Sequence, residues 1–189
     1  MRRLSFRPAL TWRGRKFKGL RGWEGKPLHP PLTDIPIGAY VIVAVLDLIS
    51  VVGQDEAWSR DFYRAATFTL IAGASVSVLT ALTGFWDWLR STEAGTQVRR
   101  EANAHAITMV TVTVLVLTNI GLRVLAYPGD RHTGAVVLAL SLVIAGLTAI
   151  GGMIGGSLVY DHGFNVSNAT GTPAYDKSEA DVYPDGSRK

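Results

Sequence analysis

The apolar positions of this chain are gathered into four long runs, 35–52, 65–86, 104–126 and 134–159, with short charged stretches between them. A hydrocarbon core roughly 30 Å thick takes about 20 helical residues to cross, so each run is long enough, the first being on the short side. Lipid offers backbone groups no partners, which makes helix the expected conformation. The connections at 53–64, 87–103 and 127–133 are short, so successive helices should run antiparallel. The predicted fold is all-α, an integral-membrane four-helix bundle. Trp58, Trp86, Trp88 and Tyr127 fall at the predicted boundaries, where an aromatic belt is expected.

The stretch His29-Pro30-Pro31-Leu32-Thr33-Asp34-Ile35-Pro36 leads into the first run. Its prolines remove backbone donors and fix dihedrals, which predicts a helix start at Ile35 or Pro36, with His29 and Asp34 just outside. Residues 1–27 form a basic arm carrying Arg2, Arg3, Arg7, Arg13, Arg15, Lys16, Lys18, Arg21 and Lys26, and most of the net charge of +4 comes from it. The arm has neither the apolar stretch nor the cleavage site of a signal peptide. Each basic residue near an anionic leaflet contributes on the order of 1 kcal/mol, so membrane lipids are the expected partner. Nucleic acid is not, because Gly14, Gly19, Gly22 and Gly25 break up any folded reading surface.

Arg90, Arg99 and Arg100 in the second connection and Lys177, Arg188 and Lys189 in the tail outweigh Arg60, Arg64, Arg123 and Arg131 on the other side. The positive-inside rule therefore places both termini in the cytoplasm, for a multi-pass protein of the inner membrane. The tail, 167–189, is rich in Gly, Pro, Ser and Asp and is expected to be disordered. On this topology the glycosylation-like triplets starting at Asn165 and Asn168 never reach a lumen. The domain plan is an arm at 1–27, a membrane domain at 28–166 and the tail.

Topology brings chemistry to one level. His29 with Asp34, Trp86-Asp87, Asn103 with His105, and Tyr160-Asp161-His162 all fall at the cytoplasmic mouth. Neutral imidazole binds zinc, iron and copper, so His29, His105 and His162 with Asp87 form a candidate shell for a divalent metal. Two of the histidines are alternatively axial ligands for a b-type haem. The same residue types also serve as ordinary interface residues. With no cysteine, thiolate zinc sites, cysteine-ligated iron-sulfur clusters and covalent haem attachment are excluded for this chain. Gly151, Gly152, Gly155 and Gly156 in the fourth run read either as a bed for a flat cofactor or as close helix packing, for which Gly73, Ala74, Ser75 and Ser77 supply a matching small surface.

A second polar group lies deeper. Asp47 is about 18 Å along its helix from Ile35, and Asn119 about 22 Å from Ala104, so the two reach similar depth and can hydrogen-bond. Arg123, one turn beyond Asn119, is a charged partner for the carboxylate with its head snorkelling outward. An intramembrane acid reads as a proton or ion step, or as a clasp between the first and third helices. No nucleophile elbow, phosphate loop or His-Glu-x-x-His helix is present.

The His29-Pro30 start, the Gly84-Phe85-Trp86-Asp87 end of the second run, the His105 opening of the third and the Gly155-Gly156-Ser157-Leu158-Val159-Tyr160 close of the fourth occur in order at successive helix ends. In these features the chain resembles, over about residues 28–166, a large bacterial family of predicted four-helix membrane proteins known as a domain of unknown function. Some members are similar to the membrane half of fusions with Rieske-type or cytochrome-like domains. The resemblance thus implies electron transfer, with a redox or respiratory membrane complex as partner. Three expectations follow for function: a haem- or metal-binding redox accessory subunit, a structural subunit without cofactor, or a proton-coupled carrier centred on Asp47.

Overall fold

The computed structural model describes residues 28–126 and 129–164. The basic arm, Tyr127, the triplets from Asn165 and the tail lie outside the described residues. Four helices follow in order: α1 (His29–Gly53), α2 (Ala57–Ser91), α3 (Gln97–Gly121), continued by a π-helical turn (Leu122–Ala126), and α4 (Ala135–Tyr160). All four are long and apolar enough to cross a membrane. α1 packs along α2, α3 along α4, and α1 closes against α4, while α2 and α3 are the most loosely joined neighbours. The core is Tyr40, Val43, Ala66, Leu70, Val112, Val116 and Ile144. Large apolar side chains such as Val52, Phe68, Val78, Leu82, Ile107 and Leu125 stand exposed on the outside. That inversion of ordinary surface chemistry suits a bundle solvated by lipid.

The ends of the helices differ from the runs that predicted them. α1 begins at His29, six residues earlier than expected, because Pro30 and Pro31 occupy the first turn, where no backbone donor is required. Pro36 sits inside the helix and is buried. Its missing N–H would leave the Leu32 carbonyl without its partner one turn back, and Thr80 Oγ1 of α2 donates to that oxygen at 3.3 Å. α2 has 35 residues, about 52 Å, and extends past the hydrocarbon at both ends. Arg60, Asp61 and Arg64 before the apolar run and Trp86 to Arg90 after it remain helical. Charge ends a membrane segment but does not end a helix. α3 starts at Gln97, where Thr96 Oγ1 accepts from the Arg99 N–H at 3.2 Å and caps it.

The glycines pack differently from the expected pairing. Gly73 of α2 lies against Ala39 and Tyr40 of α1, where an added Cβ would fall 2.8 Å from the Ala39 methyl. Gly151 and Gly155 of α4 face Met109 and His105 of α3, whereas a Cβ on Gly152 would meet nothing and one on Gly156 only Tyr160 of the same helix. The small surfaces of α2 and α4 therefore serve α1 and α3 respectively and do not match each other.

Candidate functional site

Two polar constellations occupy opposite ends of the bundle. At the end where α1 and α4 approach the 54–56 and 129–134 connections, Asp47, Asn119 and Arg123 are at most 2% exposed. The Asp47 carboxylate pairs with Arg123 Nη2, accepts Thr133 Oγ1 on Oδ1 at 2.8 Å and accepts Ser141 Oγ on Oδ2 at 2.5 Å. Arg123 Nε donates to Asn119 Oδ1 at 2.8 Å and Nη1 to Thr67 Oγ1 at 3.2 Å, while the guanidinium carbon stands 5.3 Å from the centre of the Tyr63 ring. Asn119 Nδ2 donates to Ser141 Oγ at 3.0 Å. Asp47 and Asn119 thus meet through Arg123 and Ser141, and Arg123 turns inward instead of snorkelling. The π turn that carries Arg123 widens the helix at that residue, a local geometry often found where a side chain is re-aimed. Next to this network, Ser50 and Ser59 exchange hydroxyl-to-carbonyl bonds of 2.9 and 2.6 Å, and Ser50 Oγ accepts the Thr133 N–H at 3.0 Å. All four helices are joined.

The other end holds the histidines. His29 Nδ1 lies 2.9 Å from the carbonyl oxygen of Thr80 on α2, and His105 Nδ1 lies 2.9 Å from that of Gly151 on α4. A carbonyl oxygen only accepts, so in both rings Nδ1 carries the proton and Nε2 keeps a bare lone pair. Neither Nε2 has a hydrogen-bond partner among the described residues. The two ring centres are 6.3 Å apart with the planes at 85°. Each ring is seated against a glycine of the neighbouring helix. A Cβ on Gly84 would fall 2.6 Å from His29 Cε1, and one on Gly155 would fall 3.1 Å from His105 Cε1. Gly84→Ala is accordingly expected to destabilise the protein in detergent by about 1–3 kcal/mol, through overpacking that dislodges His29. Gly155→Ala, with more room, should cost clearly less. Denaturant unfolding of both variants checks the order.

The structure brings His29 and His105 together and sends His162 elsewhere. His162 Nε2 is 3.0 Å from Glu101 Oε2, an oxygen that also lies 3.1 Å from Ser157 Oγ. Asp87 is buried on α2, one turn past Thr83. Among the described residues no three His, Asp or Glu side chains converge as ligands for one ion, so the expected shell of His29, His105, His162 and Asp87 is not assembled. The physical reason is rotation about the helix axes. Level along the bundle was legible, but His162 follows the last turn of α4 and is engaged by Glu101 of α3.

Several residues that build these sites went unnoticed in the sequence. Ser141 and Thr133 are the remaining ligands of the Asp47 carboxylate, and Thr80 supplies both the carbonyl for His29 and the hydroxyl for Leu32. Ser141 and Thr148, seven residues apart on the buried side of α4, were the available signal. At the histidine end, Trp88 Nε1 donates to Asn103 Oδ1 at 2.8 Å, and the Arg99 guanidinium lies 3.5 Å from the centre of the Trp88 ring.

Comparison with curated proteins and with solved structures gives no match. A family model does match, and it covers residues 25–168, a span that contains all four helices, the clasp and both inner histidines. With most of the 189 residues inside that match and four apolar helices in the fold, the chain belongs to the DUF2231 family of predicted membrane proteins.

Proposed function

We propose that this protein, a multi-pass protein of the cytoplasmic (inner) membrane, holds one b-type haem between His29 and His105 and serves as an electron-transfer accessory of a redox membrane complex. The observation that carries this reading is the pair of facing imidazoles, with ring centres 6.3 Å apart and both Nδ1–H groups committed to carbonyls. Two imidazoles that share one metal, each bound through nitrogen at about 2 Å, have ring centres roughly 6 Å apart. A porphyrin brings its own equatorial nitrogens, so two histidines complete the coordination. A bare divalent ion would draw only these two from the described residues, two short of a zinc tetrahedron.

When bound, the haem supplies reversible one-electron chemistry. The chain's own contribution is to orient the two rings. The Nδ1–H bonds to Thr80 and Gly151 fix the tautomer in which Nε2 is the ligating atom and make that nitrogen a better donor. The bare backbone at Gly84 and Gly155 lets both rings reach the space between the helix pairs. Arg90, Arg99 and Arg100 lie at the histidine end, which supports placing that end, and both termini, in the cytoplasm.

For Asp47 we propose a structural role over a proton-coupled one. Both carboxylate oxygens are already engaged, and the arginine facing them is itself held by Asn119 and Thr67. Such a saturated network is suited to fixing helix register.

The test of the haem reading is an optical and metal analysis of the protein purified gently from haem-replete cells. A Soret band, a low-spin reduced spectrum and stoichiometric iron as protohaem are expected. Absence of haem uptake even after added haemin would overturn the reading, and stoichiometric metal without porphyrin would replace it by a bare-metal site.

A further inference from the structure

We infer that Arg99, seated on Trp88 at the mouth of the α2–α3 seam, holds the carboxylate edge of the macrocycle. The inference rests on the haem reading of His29 and His105. Arg99 is half-buried, and its guanidinium carbon lies 3.5 Å from the centre of the Trp88 ring. Its Nη1 donates to Thr92 Oγ1 at 2.6 Å, and the Thr92 hydroxyl in turn donates to the Trp88 carbonyl at 2.7 Å. Trp88 is tied across the seam to Asn103. The arginine is therefore pre-positioned by both helices, with one of its five N–H groups used among the described residues. Among the described residues it has no carboxylate partner. Glu101, two residues on, is engaged by Gln97, His162 and Ser157 instead.

A rigidly held guanidinium with no carboxylate partner among the described residues presents a fork that matches a carboxylate. Its position also suits one. Arg99 precedes His105 by six residues, about 9 Å along α3, and Trp88 follows Gly84 by four, about 6 Å along α2. Both lie between the histidine pair and the membrane surface. The two propionates of a b-type haem are costly to place in hydrocarbon, so that edge points toward this end of the bundle. On the α3–α4 side of the mouth stand Glu101 and Asp161, which repel it, although His162 offsets part of that charge. On the α2–α3 side stand Arg99 and the buried Asp87, which is itself engaged.

The measurement is haem retention by the full-length protein in detergent, after loading with haemin or with haemin dimethyl ester, whose carboxylates are blocked. Haem loss to an excess of apomyoglobin is followed by absorbance. Wild type is expected to release the ester about tenfold faster than the free acid, the size of one charge-assisted hydrogen bond. Arg99→Gln should remove that difference while leaving the bis-imidazole spectrum unchanged, and Arg99→Lys should restore part of it. An acid-to-ester ratio that is the same in wild type and Arg99→Gln overturns the inference, and leaves Arg99 as a site for lipid phosphate. Wild type that binds neither form with a bis-imidazole spectrum overturns the haem reading itself, and the inference with it.

Discussion

Arg123→Leu is expected to lose about 3–5 kcal/mol of stability, because it leaves the Asp47 carboxylate buried without its counter-charge. Stabilities of whole domains are about 5–15 kcal/mol, so this change alone would bring the bundle near its unfolding threshold. The loss has three parts. Asp47 keeps Thr133 and Ser141 but must either stay charged in a low-dielectric interior or take up a proton. Asn119 Oδ1 and Thr67 Oγ1 lose the donors that they meet in Arg123. The leucine cannot fill the space vacated by the guanidinium over Tyr63. Asp47→Ala should be similarly damaging, since it strands the arginine instead. The double variant Asp47→Leu/Arg123→Leu should recover much of the stability, because an apolar pair leaves no buried charge behind. Unfolding in mixed micelles measures all three, and a single variant as stable as wild type would show that the network is not a clasp. Recovery in the double variant separates a structural role from proton transport, which no apolar pair can rescue.

The second large effect concerns the haem proposed between His29 and His105. His105→Ala or His29→Ala should each abolish the low-spin haem spectrum, since either change removes one of the two imidazoles whose tautomers are set by Gly151 and Thr80. His105→Gly leaves a pocket edge next to Gly155, and added imidazole is expected to restore the spectrum. His162→Ala should change nothing optically, because His162 is engaged by Glu101 on the α3–α4 seam. An unaltered spectrum in either inner-histidine variant would falsify the haem assignment. Loss of the spectrum in His162→Ala would reinstate the three-histidine shell.

Much of this arrangement is legible in the sequence. The apolar runs located four helices, and the antiparallel topology correctly put His29 and His105 at one level. Asp47 and Asn119 were recognisable from depth as candidate partners with Arg123 nearby, although Arg123 was expected to snorkel outward and is instead buried. Helix ends were less legible, because hydropathy reports where a side chain prefers lipid, while a helix stops only where its backbone bonds stop. Residues 57–64 and 87–91 contain no proline or glycine, and they continue α2 into the flanking polar zones. At His29 the error ran through proline chemistry. Pro30 and Pro31 read as barriers, although at the first turn of a helix they are compatible residues, and Thr80 compensates for Pro36. Ser141 was hidden for another reason: a hydroxyl in a membrane helix usually returns to its own backbone, as Thr111, Thr113 and Thr118 do. Thr133 lies in the connection before α4, where periodicity gives no direction.

The sequence by itself determined the class of the molecule, the number and order of its membrane helices, and which polar residues share a depth, because hydrophobic length and backbone satisfaction in lipid leave few alternatives. The rotation of each helix about its axis was decided only by the tertiary structure. Close packing chose it: Gly84 opens onto His29, Gly155 onto His105, and Gly73 onto Ala39 and Tyr40. With those contacts made, two histidines face each other, the third is left to Glu101, and Arg123 turns in to Asp47.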